Sequence, residues 1–547
     1  MTGRPVQLLT SDRFVLAPAP HECTACARTR LGDMDDFQLR SPASRRRAVS
    51  AAATNPFLPI FVDAFVPDPS PAVERYTAIG VHDLRVHHGE VVDAAHCPHA
   101  RPSVAVPRER GDGYRPYPVE GYFASAPDAP ELSNPVTGVL SAHATDDVAS
   151  LVTAKVSGFM VSHGEHGPYI RAWGGHCESY ARSRWVGMVE GIERICCAEP
   201  SPADLRSGVP EGVRAIGLDE FGVDAASWRV PHPVVGTWTL GRDLVSGESV
   251  ALPTRTVFYE AAIADPIYVQ DSSSGCAAGG SDAEATLFGL LEVVERDAFL
   301  LAWYGDLPLR EIRRDSIRDE ESRHYLNRLA LVGRTVRFLD ATVGVGIPTV
   351  VAVCDTESGG VCLGAGSHPD PERALKSALV EVASDFQVIE TRVHQRRDEL
   401  EDMLRDPAGI RGVEDHADLY GLPAAREWLT RWARTPYPVS TQIALAELRR
   451  AATAGTSIET DLVLVVEAIA AAGFSPLVVD VGSHLSRRYG FSCVKAVVPG
   501  LLPIDFGWSS QRALRMPRLR EQSERWLRQH GGADETFLLH ERPHPFP

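Results

Sequence analysis

The chain has 547 residues, 44% of them hydrophobic and 23% charged, and a formal net charge of −17. This length suggests two or three domains. The acidic balance argues against non-specific binding to nucleic acid or anionic membranes, which feeds on excess Lys and Arg. The opening MTGRPVQLLTSDRFVLAPAP lacks a charged region followed by an apolar run, no window approaches a membrane span, and ten cysteines in so long a chain make no disulfide scaffold. A cytoplasmic protein with reduced thiols is expected.

Residues 1–105 carry short β-like runs such as FLPIFVDAFV, the pair Cys23-x-x-Cys26, and Cys97 flanked by His96 and His99. A lone CxxC says little, but with a third Cys and a His it can fill a tetrahedral zinc site. Residues 106–135 are dense in Pro and Gly with little periodicity and read as a linker. From 136 to 547 helical and β-rich patterns alternate, which predicts a mixed α/β or α+β layer architecture. TVRFLDATV, IPTVVAVCD, PLVVDVG and CVKAVVP are predicted strands, and 283–300, 372–396 and 461–473 are predicted amphipathic helices. The charged stretch 393–440 reads as a solvated helical insertion.

One short pattern occurs twice, as GMVEGIER at 187–194 and GLLEVVER at 289–296. On a helix Glu190, Glu193 and Arg194 share a face, and so do Glu292, Glu295 and Arg296. A solvated face with Arg pairing Glu would explain one such motif. Here the flanks GIERICC and VVERDAFLLAWY are so apolar that both helices are expected to be mostly buried. Buried carboxylate pairs are usually metal sites or acid/base dyads. Oxygen-only ligands favour hard cations such as Mg²⁺, which commonly brings a phosphate. No GxxxxGK[ST] and no GxGxxG after a strand is present, so a nucleotide would bind by another architecture.

The ordered motifs around these helices resemble the YcaO family, ATP-dependent enzymes that act on backbone amides. SSGCAAGGSDAEATLFGLLEVVERDAF is similar to its central signature, with Glu284 eight residues before Glu292, and SYARSRWVGMVEGIER is similar to its first ExxER helix. GAGSHPDPERALKSALVEVASD resembles its next turn and helix, placing Glu381 at a further acid position, and the strands AAGFSPLVVDVG and VVPGLLPIDFG follow in order. The resemblance implies Mg²⁺ ligands at Glu190, Glu193, Glu292 and Glu295, and ATP contacts at Ser183, Arg194, Glu284, Arg296 and Glu381. Departures fall at Gly175-His176-Cys177, Ser274 and Ser384.

The ending ERPHPFP gives Pro543, Pro545 and Pro547 in a PxPxP pattern. A frayed tail is the plainer reading. Within the family the pattern resembles azoline-forming peptide cyclodehydratases, whose tail enters the active site, which implies a catalytic role for the Pro547 carboxylate beside Glu292 and Glu295. The same relatives carry a small scaffold domain of degenerate ubiquitin-activating type, which points to Cys23, Cys26, Cys97 and His99 as ligands of a structural Zn²⁺, with His96 as substitute. Because about twenty residues precede Cys23, the resemblance implies a separate leader-peptide-binding partner protein. It also implies a precursor peptide as substrate, a downstream flavin dehydrogenase and a homodimer. The expected reaction is ATP-dependent cyclodehydration of Cys, with Ser or Thr as further targets. Thioamide or macroamidine formation and a catalytically silent docking scaffold are the alternatives.

Overall fold

The computed structural model describes residues 6–9, 13–17, 75–80, 85–90, 132–134, 138–140 and 144–546, the last span with breaks at 165–166, 224–232, 262, 271 and 532–535. Cys23, Cys26, His96, Cys97, His99, most of the 106–135 linker, the run FLPIFVDAFV and Pro547 lie outside the described residues.

Four sheets are present among the described residues. Strands β1 (Val6–Leu9), β2 (Arg13–Ala17), β3 (Arg75–Gly80) and β4 (Val86–Glu90) form an antiparallel meander. A short β5 (Thr145–Asp146) flanks the long hairpin of β6 (Ala154–Gly164) and β7 (Gly167–Cys177). The largest sheet combines β8 (Arg214–Ala215), β9 (Trp238–Asp243), β10 (Ser249–Pro253), β11 (Cys276–Gly279), β16 (Leu477–Asp480) and β17 (Ser492–Val497) in the order β11-β17-β16-β9-β10-β8. The fourth is an antiparallel run of β12 (Arg310–Ile312), β13 (Val336–Asp340), β14 (Thr349–Asp355) and β15 (Val361–Ser367). Antiparallel pairing dominates, so the architecture is α+β rather than doubly wound.

Three of these strands lead straight into long helices: β7 into α1 (Tyr180–Ala198), β11 into α2 (Asp282–Tyr304), and β15 into α3 (Pro371–Gln395). Ser281 caps α2, its hydroxyl accepting from the N–H of Glu284, and Asp282 and Glu284 favour the positive end of the helix. The C-terminal half of α2 is buried from Ala298 to Tyr304 among β13, β14, β15 and α3. Its other half packs against α4 (Ile458–Ala471), where Leu287, Leu290, Leu291 and Val294 meet Ile458, Val465 and Ile469. No helix among the described residues is long and apolar enough to cross a membrane.

The 393–440 stretch corrects its sequence reading. Its charges form an ion-pair network in which half-buried Arg392 and Arg396 reach Asp415 and the fully buried Asp418. Beneath them Leu400, Met403, Leu419, Tyr420, Leu422, Leu429 and Trp432 are buried in the main core. The acids and arginines neutralise one another locally, so a highly charged segment still covers a large apolar surface.

Candidate active site

Both copies of the repeated motif use their first two invariant letters in the same way. A Cβ on Gly187 would fall 3.0 Å from the carbonyl carbon of Gly174 on β7, and one on Gly289 would fall 2.7 Å from the carbonyl oxygen of Gly275 just before β11. Only glycine lets each helix approach its preceding strand so closely. Three residues on, Glu190 accepts the N–H of Gly174 at 2.6 Å and Glu292 accepts the N–H of Gly275 at 3.0 Å. One turn later Arg194 and Arg296 close on the other carboxylate oxygen, at 2.6 and 2.9 Å. A third unit repeats the clasp: Glu381 of α3 accepts the N–H of Ala365 on β15 at 2.9 Å. There the close approach comes from the strand, since a Cβ on Gly364 would meet Ala378 O at 2.9 Å and Glu381 Cβ at 2.8 Å.

The second glutamates join the units. Glu193 of α1 accepts the N–H of Ala278 on β11 at 3.0 Å, which brings the first helix to the strand that feeds the second. Burial pushes the Glu193 carboxyl well above its ordinary range, and the Cys276 thiol, Glu190 and Glu292 push it further. Burial likewise raises Glu295 to about 7, with Arg296 opposing and Glu292 adding to the shift. Glu381 is raised first by burial and then by Glu295. The acids therefore form one electrostatically linked series, from Glu190 and Glu193 through Glu292 and Glu295 to Glu381. The residues themselves are partly accessible to solvent, so a ligand can reach them.

The structure sorts this set more finely than the sequence does. Glu190 and Glu292 commit one oxygen to a backbone N–H and the other to an arginine. Glu193, Glu295 and Glu381 have no ion-pair partner within 4 Å among the described residues. No three His, Cys, Asp or Glu side chains among the described residues are close enough to enclose an ion, so the four glutamates at 190, 193, 292 and 295 do not form a ready-made shell. The donor set still fits Mg²⁺: carboxyl groups raised by burial and by one another, with no ion pair of their own among the described residues, are relieved by a hard cation.

Two further residues of the expected set have local partners. Ser183 is fully buried, its hydroxyl accepting from Cys177 N at 2.7 Å, and so orders the β7–α1 turn. Glu284 accepts from Gly280 N at 2.7 Å at the start of α2, and none of the raised carboxyls owes its shift to it. His176, noted in the sequence only as part of a departure from the family pattern, and Asp385, not singled out there, border the acids. Burial lowers the His176 imidazole against the opposing pull of Asp385 and Glu190, and Ser384 Oγ donates to Asp385 at 2.7 Å. Residues on β7 and one turn beyond Glu381 carry no local signal for this; only the packing of α3 against β7 brings them together.

The end of the described chain docks against the same helix. His540 N donates to Tyr304 O at 2.8 Å and Trp303 Nε1 to Arg542 O at 3.0 Å. The His544 ring is fully buried and stacks on His416 at 4.1 Å. Phe546 lies edge-on to Phe299 at 4.8 Å, and its ring faces the Arg296 guanidinium at 4.7 Å. The tail thus reaches the second motif through residue 546.

A family model described as YcaO cyclodehydratase, ATP- and Mg²⁺-binding, matches residues 174–502. An uncharacterised protein from the tfuA 3′ region of Rhizobium leguminosarum bv. trifolii is 34% identical over 201 residues, covering 34% of this chain and 48% of that protein. The match thus spans about half the length of that relative. An uncharacterised protein of Methanothermobacter thermautotrophicus is 27% identical over 343 residues, 61% of this chain and 82% of that one. Among solved structures, a heterocyclase in complex with substrate and cofactor superposes with a TM-score of 0.65 at 19% identity, over 99% of this chain and 78% of that chain. The heterocyclase TruD superposes at 0.58 with 20% identity, over 99% and 75%. At these identities the two structures establish a common fold. The family match takes in both Glu-Arg helices, α3 and the strands between them: the chain belongs to the YcaO family of ATP- and Mg²⁺-binding cyclodehydratases.

Proposed function

We propose that this protein catalyses ATP-dependent cyclodehydration of Cys residues in a ribosomally made precursor peptide, giving thiazolines, with Ser and Thr as candidate oxazoline precursors. The observation that carries the reading is the linked acid series, in which Glu193 of one motif is electrostatically joined to Glu292 of the other. In this reading Mg²⁺ enters with ATP and takes its carboxylate ligands from among Glu190, Glu193, Glu292, Glu295 and Glu381 rather than from a preformed cluster, and it would supply charge neutralisation for the ATP phosphates. Glu190 and Glu292, clasped to backbone, fix the two helices, while Arg194 and Arg296 face the nucleotide's negative charge. Phosphoryl transfer asks the protein mainly for positioning and electrostatic stabilisation, which this set supplies.

The reaction balances without a redox step. The peptide thiol adds to the preceding amide carbon, the former amide oxygen takes the γ-phosphoryl of ATP to leave ADP, and loss of phosphate with the amide proton leaves the C=N of the ring. The buried tail, whose Phe546 ring faces the Arg296 guanidinium, supports a catalytic role for the tail's end at Pro547. A separate leader-binding partner, a downstream flavin dehydrogenase, a homodimeric assembly, a cytoplasmic setting and a structural Zn²⁺ on Cys23, Cys26, Cys97 and His99 belong to the same reading. The zinc is checked by metal analysis of the purified protein.

Incubating protein, partner and Cys-bearing peptide with Mg²⁺ and ATP is expected to remove one water mass per ring. Replacement of oxygen by sulfur in the product would instead identify thioamide formation, and a ring closed through a backbone amidine would identify macrocyclisation. Ring formation unaffected by E292Q/E295Q would reduce this protein to a docking scaffold.

A further inference from the structure

On the side of α2 that faces β17, a cavity of about 110 Å³ is lined by Arg296, Lys495, Ser272 and Ser274 and walled by residues 498–504. One of its cationic groups has no carboxylate partner among the described residues, and a second is only partly engaged. Lys495 is only 5% exposed. Its Nζ donates to Ser272 O at 2.8 Å and lies 3.8 Å from Cys276 Sγ, and no carboxylate among the described residues is within ion-pair distance of it. Arg296 engages Glu292 through Nε and one terminal nitrogen, while its Nη1 is buried and meets no acceptor.

The other charges on the wall do not make up the deficit. Arg512 is neutralised by Asp505 at 2.7 Å, and Arg255 donates to the carbonyls of Ile263 and Asp265. Glu220, the one carboxylate on the lining, accepts from Gly217 N at 3.0 Å. A buried ammonium with three donors, one carbonyl and one weak sulfur acceptor and no carboxylate, beside an orphaned guanidinium N–H, is an arrangement that an anion would complete. The volume suits a small oxyanion, well below the roughly 300–1,000 Å³ of pockets that hold drug-sized molecules. A nucleoside would have to lie outside it.

We propose that this cavity is a phosphate subsite in which Lys495 Nζ and Arg296 Nη1 grip a tetrahedral oxyanion, with the hydroxyls of Ser272 and Ser274 as further donors. It rests on the ATP reading above and extends it with a binding residue, Lys495, on β17. The occupant is either the γ-phosphoryl of bound ATP or the orthophosphate left after transfer. Arg296 then links two neighbours, the Glu292 clasp on one side and the oxyanion on the other.

The test uses the full chain and titrates orthophosphate alone, orthophosphate with Mg²⁺·ADP, and the Mg²⁺ complex of an imido-bridged ATP analogue, followed by calorimetry and phosphorus NMR. Orthophosphate is expected to bind wild type, and K495M to weaken it at least about tenfold, the loss of one charged hydrogen-bond donor, with K495R retaining most of it. Displacement of orthophosphate by the ATP analogue but not by ADP assigns the subsite to the γ-phosphoryl; co-binding with ADP assigns it to the product. Without ligand K495M should melt at or above the wild-type temperature, because it removes an unpaired buried charge; a purely structural lysine would lower it. K495Q carries the same readouts should K495M not fold. Phosphate binding unchanged in K495M overturns the proposal. Failure of wild type to bind orthophosphate while it binds the ATP analogue overturns the subsite and leaves the ATP reading intact; binding of neither overturns both.

Discussion

The Glu193 carboxylate of α1 accepts the backbone N–H of Ala278 on β11 at 3.0 Å, and so pins the first Glu-Arg helix to the strand that leads into the second. The side chain has two separable roles, a hydrogen-bond acceptor that holds the fold and a negative charge available to a cation. E193Q keeps an acceptor oxygen and removes the charge. Its melting temperature should therefore stay at or above that of wild type, while ATP turnover falls about 10²–10³-fold, the size seen when one preorganised electrostatic group is lost. Thermal melts and phosphate release measured side by side check this.

Glu295 makes metal-free stability depend on pH in an unusual direction. Its folded value of about 7 lies above the ordinary 4.5, so between those values the native state binds more protons than the unfolded one and stability falls as pH rises. For this group alone the loss approaches about 3 kcal/mol. Glu193 and Glu381 shift the same way. Melts in EDTA should drop from pH 5 to 7.5, E295Q should flatten the slope, and Mg²⁺ with an ATP analogue should raise the curve most at the alkaline end.

The tail responds with the opposite sign. Burial lowers His416 to about 4 and His544 well below 6.5, and the two rings stack face to face. Both must stay neutral to remain packed, so their contribution is complete above about 6.5 and is lost as pH falls toward the folded values. Hydrogen exchange of a peptide spanning 536–546 should accelerate between pH 6.5 and 5, with H416F displaced from this dependence. Unchanged protection down to pH 5 would contradict the role given to the pair.

Phe546 touches the site through one cation–π contact to Arg296. F546L keeps most of the buried volume against Phe299 but removes the π face, a change of about 0.5–2 kcal/mol. ATP turnover should fall between about two- and thirtyfold, with F546W restoring it and F546A costing stability as well. Activity equal in F546L and wild type would make the contact incidental.

Much of this was legible in the sequence where pattern and chemistry are local. The strands from TVRFLDATV, IPTVVAVCD, PLVVDVG and CVKAVVP form at 336–340, 349–355, 477–480 and 492–497, and the three predicted helices appear at 282–304, 371–395 and 458–471. The doubled motif likewise announced buried acids. The β6–β7 hairpin was not singled out, because glycines and small residues in SGFMVSHG and GPYIRAWGGHC blur its alternation. Non-local relations were out of reach: nothing near Lys495 marks it as facing Arg296, and nothing near His176 marks it as bordering Asp385. The 393–440 stretch misled because charge density was read as exposure, whereas arginine–carboxylate networks let it bury Trp432 and Tyr420.

The strand–helix clasp recurs at Gly174–Glu190, Gly275–Glu292 and Ala365–Glu381, spanning 16, 17 and 16 residues. Each is a latch as well as a charge, so an alanine scan of these acids would release a strand and remove a carboxylate in the same stroke. Inactivity in such a scan would therefore report on assembly and on chemistry without telling them apart. Glutamine, which leaves the latch closed, is the substitution through which this site can be interrogated, and the three latches give three independent places to apply it.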